Sequence, residues 1–204
     1  SGSDGETSTV WKRWIAEGGI APVGHHVLAA TRGDVLPSDW PDAVYDNRAE
    51  AWLISPPFRP GPALVLTHMI DVAEVVDGRG ADGAVVEALL PDGTVVPLVP
   101  QGGYPGHVPG WSSSALGGRD AFVDVAELEG FAEPVWDVDV FETTGLGDAD
   151  IRLRFRFASD DLWRGRGWFL RDIELRNDEA GFGLAREGGL WRLSWPDADG
   201  FVPS

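Results

Sequence analysis

The chain has 204 residues, of which 43% are hydrophobic, and 33 acidic against 16 basic side chains give a formal net charge of −17. A surface this acidic repels phosphate backbones and anionic lipids, and the chain lacks the run of about eighteen apolar residues that indicates a spanning helix, so neither nucleic acid binding nor membrane insertion is predicted. The absence of cysteine excludes thiol catalysis, disulfides and thiolate metal sites.

Short apolar segments separated by glycine and proline follow one another along the chain. The first, at 11–17, is a helix candidate, and a weaker helix candidate lies at 127–132. The strand-like segments are 51–54, 63–70, 84–90, 94–99, 121–125, 135–141, 151–157, 167–175 and 190–195. Many short strands with turn residues between them predict an all-β fold, a sandwich or barrel.

Two segments carry the strand signal best. Asp92 and the glycine after it lie between two apolar segments and predict a hairpin turn. Residues 151–157 alternate apolar and arginine side chains, so the apolar set is predicted to face the core and the three arginines to face outward. Asp137 and Asp139, also spaced by two, are the predicted partners of these arginines, and an anion or partner site on the arginine row is the alternative.

An ordered set of motifs runs through the middle of the chain. It comprises a strand ending in Ser-Pro, a Leu-x-x-x-His strand, an Asp-Gly strand, a Gly-Gly-Tyr loop, a tryptophan strand, an Arg-Phe-Arg-Phe-x-Ser-Asp strand and a closing Gly-Trp strand, at 53–56, 64–68, 82–87, 102–104, 136, 154–160 and 167–173. Together these motifs resemble the MAM-like jelly-roll modules attached to immune-inhibitor-A-type metallopeptidases and other large secreted bacterial proteins.

The resemblance covers about residues 50–176 and implies a two-sheet β-sandwich of jelly-roll type, an extracellular location and an accessory role beside other domains. Residues 1–50 are then expected to supply N-terminal strands and loops of the sandwich, and 51–176 its jelly-roll core. Residues 177–204 form a C-terminal extension, either a closing strand or the start of a following module.

A structural calcium ion is a further expectation, because related jelly rolls often bind calcium with acids of the first and last strands. The closing strand usually carries two acids, and here the first is replaced by Arg171, which leaves Asp172. Asp160 and Asp172 are therefore the predicted metal ligands, while a second group of acids lies at 74–82. Ordinary solvated acids are the alternative.

No catalytic arrangement is predicted. The four histidines, at 25, 26, 68 and 107, do not have the spacing of a metallopeptidase motif and are interpreted as structural or surface residues. A Gly-x-Gly-x-x-Gly match at 78–83 precedes a strand-like segment, whereas a dinucleotide site requires a helix there, so the match predicts a turn-rich loop.

Aromatic residues outside the strands supply the candidate binding site. Three of the ten tryptophans, at 52, 136 and 168, lie in apolar strands and are predicted to be core residues. Tyr104, His107, Trp111 and Trp163 lie in loops rich in glycine, proline or serine and are predicted to bind a ligand, since exposed rings stack on the apolar faces of sugars. Lids over the ends of the sandwich are the alternative.

The segment 101–118 is predicted to be one long loop, because prolines remove hydrogen-bond donors and glycines loosen the backbone.

Taken together, these features predict a non-catalytic accessory or adhesion module of a secreted or cell-surface bacterial protein, which binds glycan or protein and adjoins other domains of a larger parent. A purely structural spacer and a jelly-roll hydrolase are the alternatives.

Overall fold

The computed structural model describes residues 9–15, 26–32, 44–73, 75–124, 136–176, 183–187 and 190–194. These residues form strands and one short 3-10 helix at Thr144–Leu146, which confirms the all-β prediction. In chain order the strands are β1 (Thr9–Ile15), β2 (His26–Arg32), β3 (Glu50–Ile54), β4 (Ala63–Asp71), β5 (Gly83–Leu89), β6 (Val95–Leu98), β7 (Gly106–Val108), β8 (Arg119–Ala121), β9 (Asp137–Glu142), β10 (Arg152–Ala158), β11 (Gly167–Arg176), β12 (Gly183–Glu187) and β13 (Leu190–Ser194).

Two antiparallel sheets enclose the core of a sandwich. The five-stranded sheet has the order β1-β2-β11-β4-β9, and the four-stranded sheet has the order β3-β10-β5-β6. Trp168 of β11 and Phe155 of β10 meet between the sheets with ring centroids 6.0 Å apart. Burial of such apolar side chains from both sheets is the main favourable term in folding, and the largest fully buried ones include Trp168, Tyr45, Phe122, Phe141, Phe155 and Phe157.

The N-terminal strands are part of the five-stranded sheet. β2 lies between β1 and β11, where Ala30 pairs with Trp168. Gly167 begins β11 with a φ of 112°, and a Cβ at this position would collide with the Ala30 carbonyl oxygen, so only glycine fits the junction. β12 and β13 form a separate two-stranded hairpin.

The helix predicted at 11–17 is wrong. Residues 9–15 form β1, which pairs along its whole length with β2 from Thr9–Arg32 to Ile15–His26. Long-range strand pairing supplies hydrogen bonds that a one- or two-turn helix cannot match, so tertiary context overrides the local pattern. The second candidate, 127–132, lies outside the described residues.

The arginine row faces outward as predicted, but its predicted partners are wrong. The apolar side chains of 151–157 are buried, and the neighbouring carboxylates belong to Glu87 and Glu50. The reason is topological: β10 lies between β3 and β5, which carry these glutamates. Asp137 and Asp139 lie on β9, at the edge of the other sheet.

Two of the three tryptophans predicted as core residues are not fully buried. Trp168 is buried, whereas Trp52 is 50% exposed on the outer face of β3. The segment 51–54 is apolar throughout, so no alternation in the sequence marks which side chains point inward. Trp136 is half-buried, and the Arg171 guanidinium lies 5.0 Å from its ring centroid.

Of the predictions for turns and loops, the hairpin at Asp92 is confirmed and the long loop at 101–118 is wrong. The hairpin at Asp92 is confirmed, since β5 and β6 pair around it and Leu90 N donates to Thr94 O at 2.9 Å. The segment 101–118 is not one irregular loop, because Gly106–Val108 forms β7 and pairs with β8. None of the described segments is a helix long and apolar enough to cross a membrane.

Candidate ligand-binding groove

An open groove of about 680 Å³ lies among three loops, which precede β5, follow β7 and follow β10. Its volume is within the range of small-ligand sites. Trp111 is 75% exposed and is the largest apolar side chain of the lining. The complete lining comprises Val76, Asp77, Arg79, Gly80, Ala81, Pro109, Trp111 and Leu162.

A tight turn forms one wall of the groove. Val76 N donates to Arg79 O at 2.9 Å, and Arg79 N donates to Val76 O at 3.0 Å. Asp77 and Gly78 between them have φ values of 49° and 69°, the left-handed pair of a type I′ turn. β7 supports the turn from behind, since His107 N donates to Gly78 O at 2.9 Å.

The polar side chains of this turn are available to a ligand. Asp77 and Arg79 are exposed, and within the described part of the chain neither side chain makes a hydrogen bond or an ion pair. The carboxylate only accepts hydrogen bonds and the guanidinium only donates them. The groove therefore offers an acceptor, a donor and a flat indole ring on a backbone held by hydrogen bonds.

Serine side chains hold the other two loops in place. Ser112 Oγ donates to Ala81 O at 2.7 Å, and Ser113 Oγ donates to Asp161 Oδ1 at 3.1 Å. Arg48 Nη2 also bonds Asp161, at 2.6 Å, and the hydrogen bonds from Arg48 and Ser113 hold the pKa of Asp161 below its usual value. Ser112 and Ser113 thus connect the loops that form the walls of the groove.

The structure separates the four predicted ligand-binding residues. Trp111 lies in the groove, and Trp163 is 62% exposed and directly follows the lining residue Leu162. The His107 ring bonds Asp120 at 2.7 Å and does not line the groove, although its backbone supports the turn.

Tyr104 is partly buried and packs against the core. Its hydroxyl donates to Leu98 O at 2.7 Å and accepts from Val86 N at 3.0 Å. Its ring packs edge-on against Phe122 with centroids 4.9 Å apart. Burial raises the pKa of Tyr104 to about 12. With its hydroxyl engaged by two strands, Tyr104 connects β5 and β6 and is not among the groove residues.

In the structure each of the two predicted calcium ligands has another partner. Asp160 is buried, and its Oδ1 accepts from Leu162 N at 2.9 Å. Asp172 is half-exposed and pairs with Arg171 at 2.9 Å, so a cation there would compete with a guanidinium. Among the described residues no three acidic or histidine side chains are grouped to hold a metal ion. Of the second acidic group, Glu74 lies outside the described residues, and Asp82 accepts from Asp160 N at 2.6 Å.

The calcium prediction can be tested by thermal unfolding. An ion that binds only the folded state raises Tm by mass action. If Asp160 and Asp172 hold calcium, millimolar calcium raises Tm relative to EDTA, and Asp172→Asn abolishes the rise. Identical melting curves with calcium and with EDTA would show that the folded chain does not bind calcium under these conditions.

Sequence reasoning predicted Trp111 as a ligand-binding residue. It gave Asp77 only as one of the acids at 74–82, and it did not predict Val76, Arg79 or Leu162. The Asp-Gly pair at 77–78 is the feature of the sequence that could have predicted this turn, because the same dipeptide at 92–93 predicts a hairpin turn.

No protein-family model matches the chain, and no curated protein matches it at a significant level. The similarity to MAM-like modules therefore stays a prediction that depends on the order of its motifs.

Proposed function

We propose that this protein is a non-catalytic accessory or adhesion module, with a MAM-like jelly roll, of a secreted or cell-surface bacterial protein, and that it binds a glycan in the groove at Trp111. The groove is the observation that carries the proposal. A solvent-open groove with one exposed indole and two charged side chains that have no partner among the described residues suits a sugar, whose apolar ring face stacks while its hydroxyls form hydrogen bonds.

The lining of the groove favours binding over hydrolysis. Most glycoside hydrolases use a pair of carboxyl groups on either side of the scissile bond. The groove residues include one acid, Asp77. Two further possibilities, a protein segment as the ligand and a spacer without any ligand, are outcomes of the binding experiment.

Trp111→Ala is expected to weaken glycan binding by about tenfold or more while leaving Tm within a few degrees. The indole is 75% exposed, so its removal costs stacking area without opening a cavity in the core. The measurement is binding of the purified chain to a glycan array, followed by calorimetry on the glycans retained, with a thermal melt of each variant.

Trp52→Ala is the matched control, since Trp52 is 50% exposed on the outer face of β3 and does not line the groove. It should leave glycan binding unchanged. A fall in Tm of ten degrees or so for Trp111→Ala would identify Trp111 as a packing lid. A wild-type chain that retains no glycan would favour the spacer or a protein ligand.

A further inference from the structure

The groove is electrically balanced although the chain is not. Its lining contains one carboxylate, Asp77, and one guanidinium, Arg79, within a chain of net charge −17. An anionic ligand would meet the Asp77 charge in the groove and the repulsion of the whole surface. A cationic ligand would be attracted by the surface as a whole but would meet the Arg79 charge within the groove. The charges therefore favour a ligand that carries none.

The hydrogen-bonding groups of the groove narrow the chemical class of the ligand further. Asp77 offers only acceptors and Arg79 only donors. A hydroxyl group is both donor and acceptor, so neighbouring hydroxyls of one ring satisfy both side chains at once. Trp111 adds the flat apolar face on which such a ring can lie. Resting on the proposed glycan function, we infer that the ligand is an uncharged pyranose chain and that Asp77 and Arg79 are the pair that binds its hydroxyls.

Backbone hydrogen bonds hold the turn that carries this pair, so the two side chains can be changed while the backbone stays in place. Asp77 occupies the left-handed region with a φ of 49°, a conformation that aspartate and asparagine tolerate better than other non-glycine residues. Asp77→Asn therefore keeps the turn and removes only the charge. Arg79→Gln likewise leaves the backbone hydrogen bonds between Val76 and Arg79 in place.

The experiment is titration calorimetry of the whole chain with four soluble polymers at low and high salt. Two are neutral, a mixed-linkage β-glucan and a galactomannan; one is anionic, polygalacturonate; and one is cationic, glycol chitosan. We expect binding to a neutral polymer, with an affinity that changes little with salt because no ligand charge is screened. Asp77→Asn and Arg79→Gln should each weaken it about tenfold, the effect of losing a charged hydrogen bond.

Two matched variants control for net charge. Asp150→Asn and Arg152→Gln make the same charge changes at exposed positions outside the groove and should leave the affinity unchanged. Neutral-polymer binding that survives Asp77→Asn and Arg79→Gln would overturn the role given to the pair.

The remaining outcomes separate this inference from the proposed function. Binding of polygalacturonate alone, weakened by salt and by Arg79→Gln and strengthened by Asp77→Asn, would overturn the inference while the glycan function stands. Binding of glycol chitosan alone, strengthened by Arg79→Gln, would do the same. A chain that binds none of the four polymers and no glycan on the array would contradict both the inference and the proposed glycan-binding function.

Discussion

Glu87→Leu is expected to lower the free energy of unfolding by about 3 kcal/mol, because it leaves two partly buried arginines without their shared carboxylate. The Glu87 side chain is 3% exposed. Its Oε1 accepts from Arg119 at 2.9 Å and its Oε2 accepts from Arg154 at 2.7 Å. Arg119 and Arg154 reach solvent at one side, which places the effect at the lower end of the range for broken buried pairs. Urea unfolding measures the change.

Glu50→Leu is the matched control for this prediction. It breaks the neighbouring ion pair with Arg156 on the same face of the sheet, but the Glu50 side chain is 40% exposed. Water replaces the exposed Glu50 carboxylate, while the Arg156 side chain is 17% exposed and keeps some contact with solvent, so the expected loss is about 1 kcal/mol, smaller than that for Glu87→Leu. Equal losses for Glu87→Leu and Glu50→Leu would show that burial of Glu87 adds nothing to its ion pairs.

The Glu87 contacts also explain how the groove is positioned. Arg119 belongs to β8, which pairs with β7, and β7 supports the turn that carries Asp77. The ion pair thus fixes β8 to β5 of the four-stranded sheet. Glu87→Leu is expected to loosen the groove as well as the fold, so binding experiments should use variants that leave this pair intact.

The fold was predictable where local chemistry decides it and not where distant strands meet. The alternation at 151–157 predicts which side chains of β10 are buried, because a strand presents alternate residues to its two faces. The partners of its arginines were not predictable, since they depend on β3 and β5 lying next to β10. The same limit applies to β1, where a short segment of helical appearance becomes a strand once β2 pairs with it.

The candidate site, like the fold, could be predicted from the sequence only in part. The glycine- and proline-rich surroundings of Trp111 predict an exposed loop residue, and Trp111 is exposed. Tyr104 lies in a similar segment, but its hydroxyl reaches the backbone of β5 and Leu98, a contact that local sequence does not encode. The groove itself is assembled from loops about 30 to 85 residues apart in sequence, as Arg79, Trp111 and Leu162 show, so no single motif could predict it.

His68→Leu is expected to lower the free energy of unfolding by about 3 kcal/mol through the loss of two hydrogen bonds, one buried and one part-buried. His68 is 1% exposed, and its Nδ1 lies 3.1 Å from Nε1 of Trp168. An indole N–H only donates, so Nδ1 accepts and the imidazole proton is on Nε2, which donates to Asp139 Oδ2 at 2.8 Å. Leucine removes the acceptor of the buried Trp168 indole N–H, and this loss alone costs about 1–3 kcal/mol. It also removes the donor to the Asp139 carboxylate.

The measurement is urea unfolding, with His107→Leu as the matched control. His107 also pairs with an aspartate, Asp120, but both side chains are substantially exposed, so its loss should cost about 0.5 kcal/mol or less. A double-mutant cycle of His68→Leu with Trp168→Phe isolates the indole–imidazole bond, with an expected coupling of about 1 kcal/mol. Nitrogen NMR of the ring should show the proton on Nε2; a proton on Nδ1, or a loss no greater than that of His107→Leu, would contradict the hydrogen-bonding scheme.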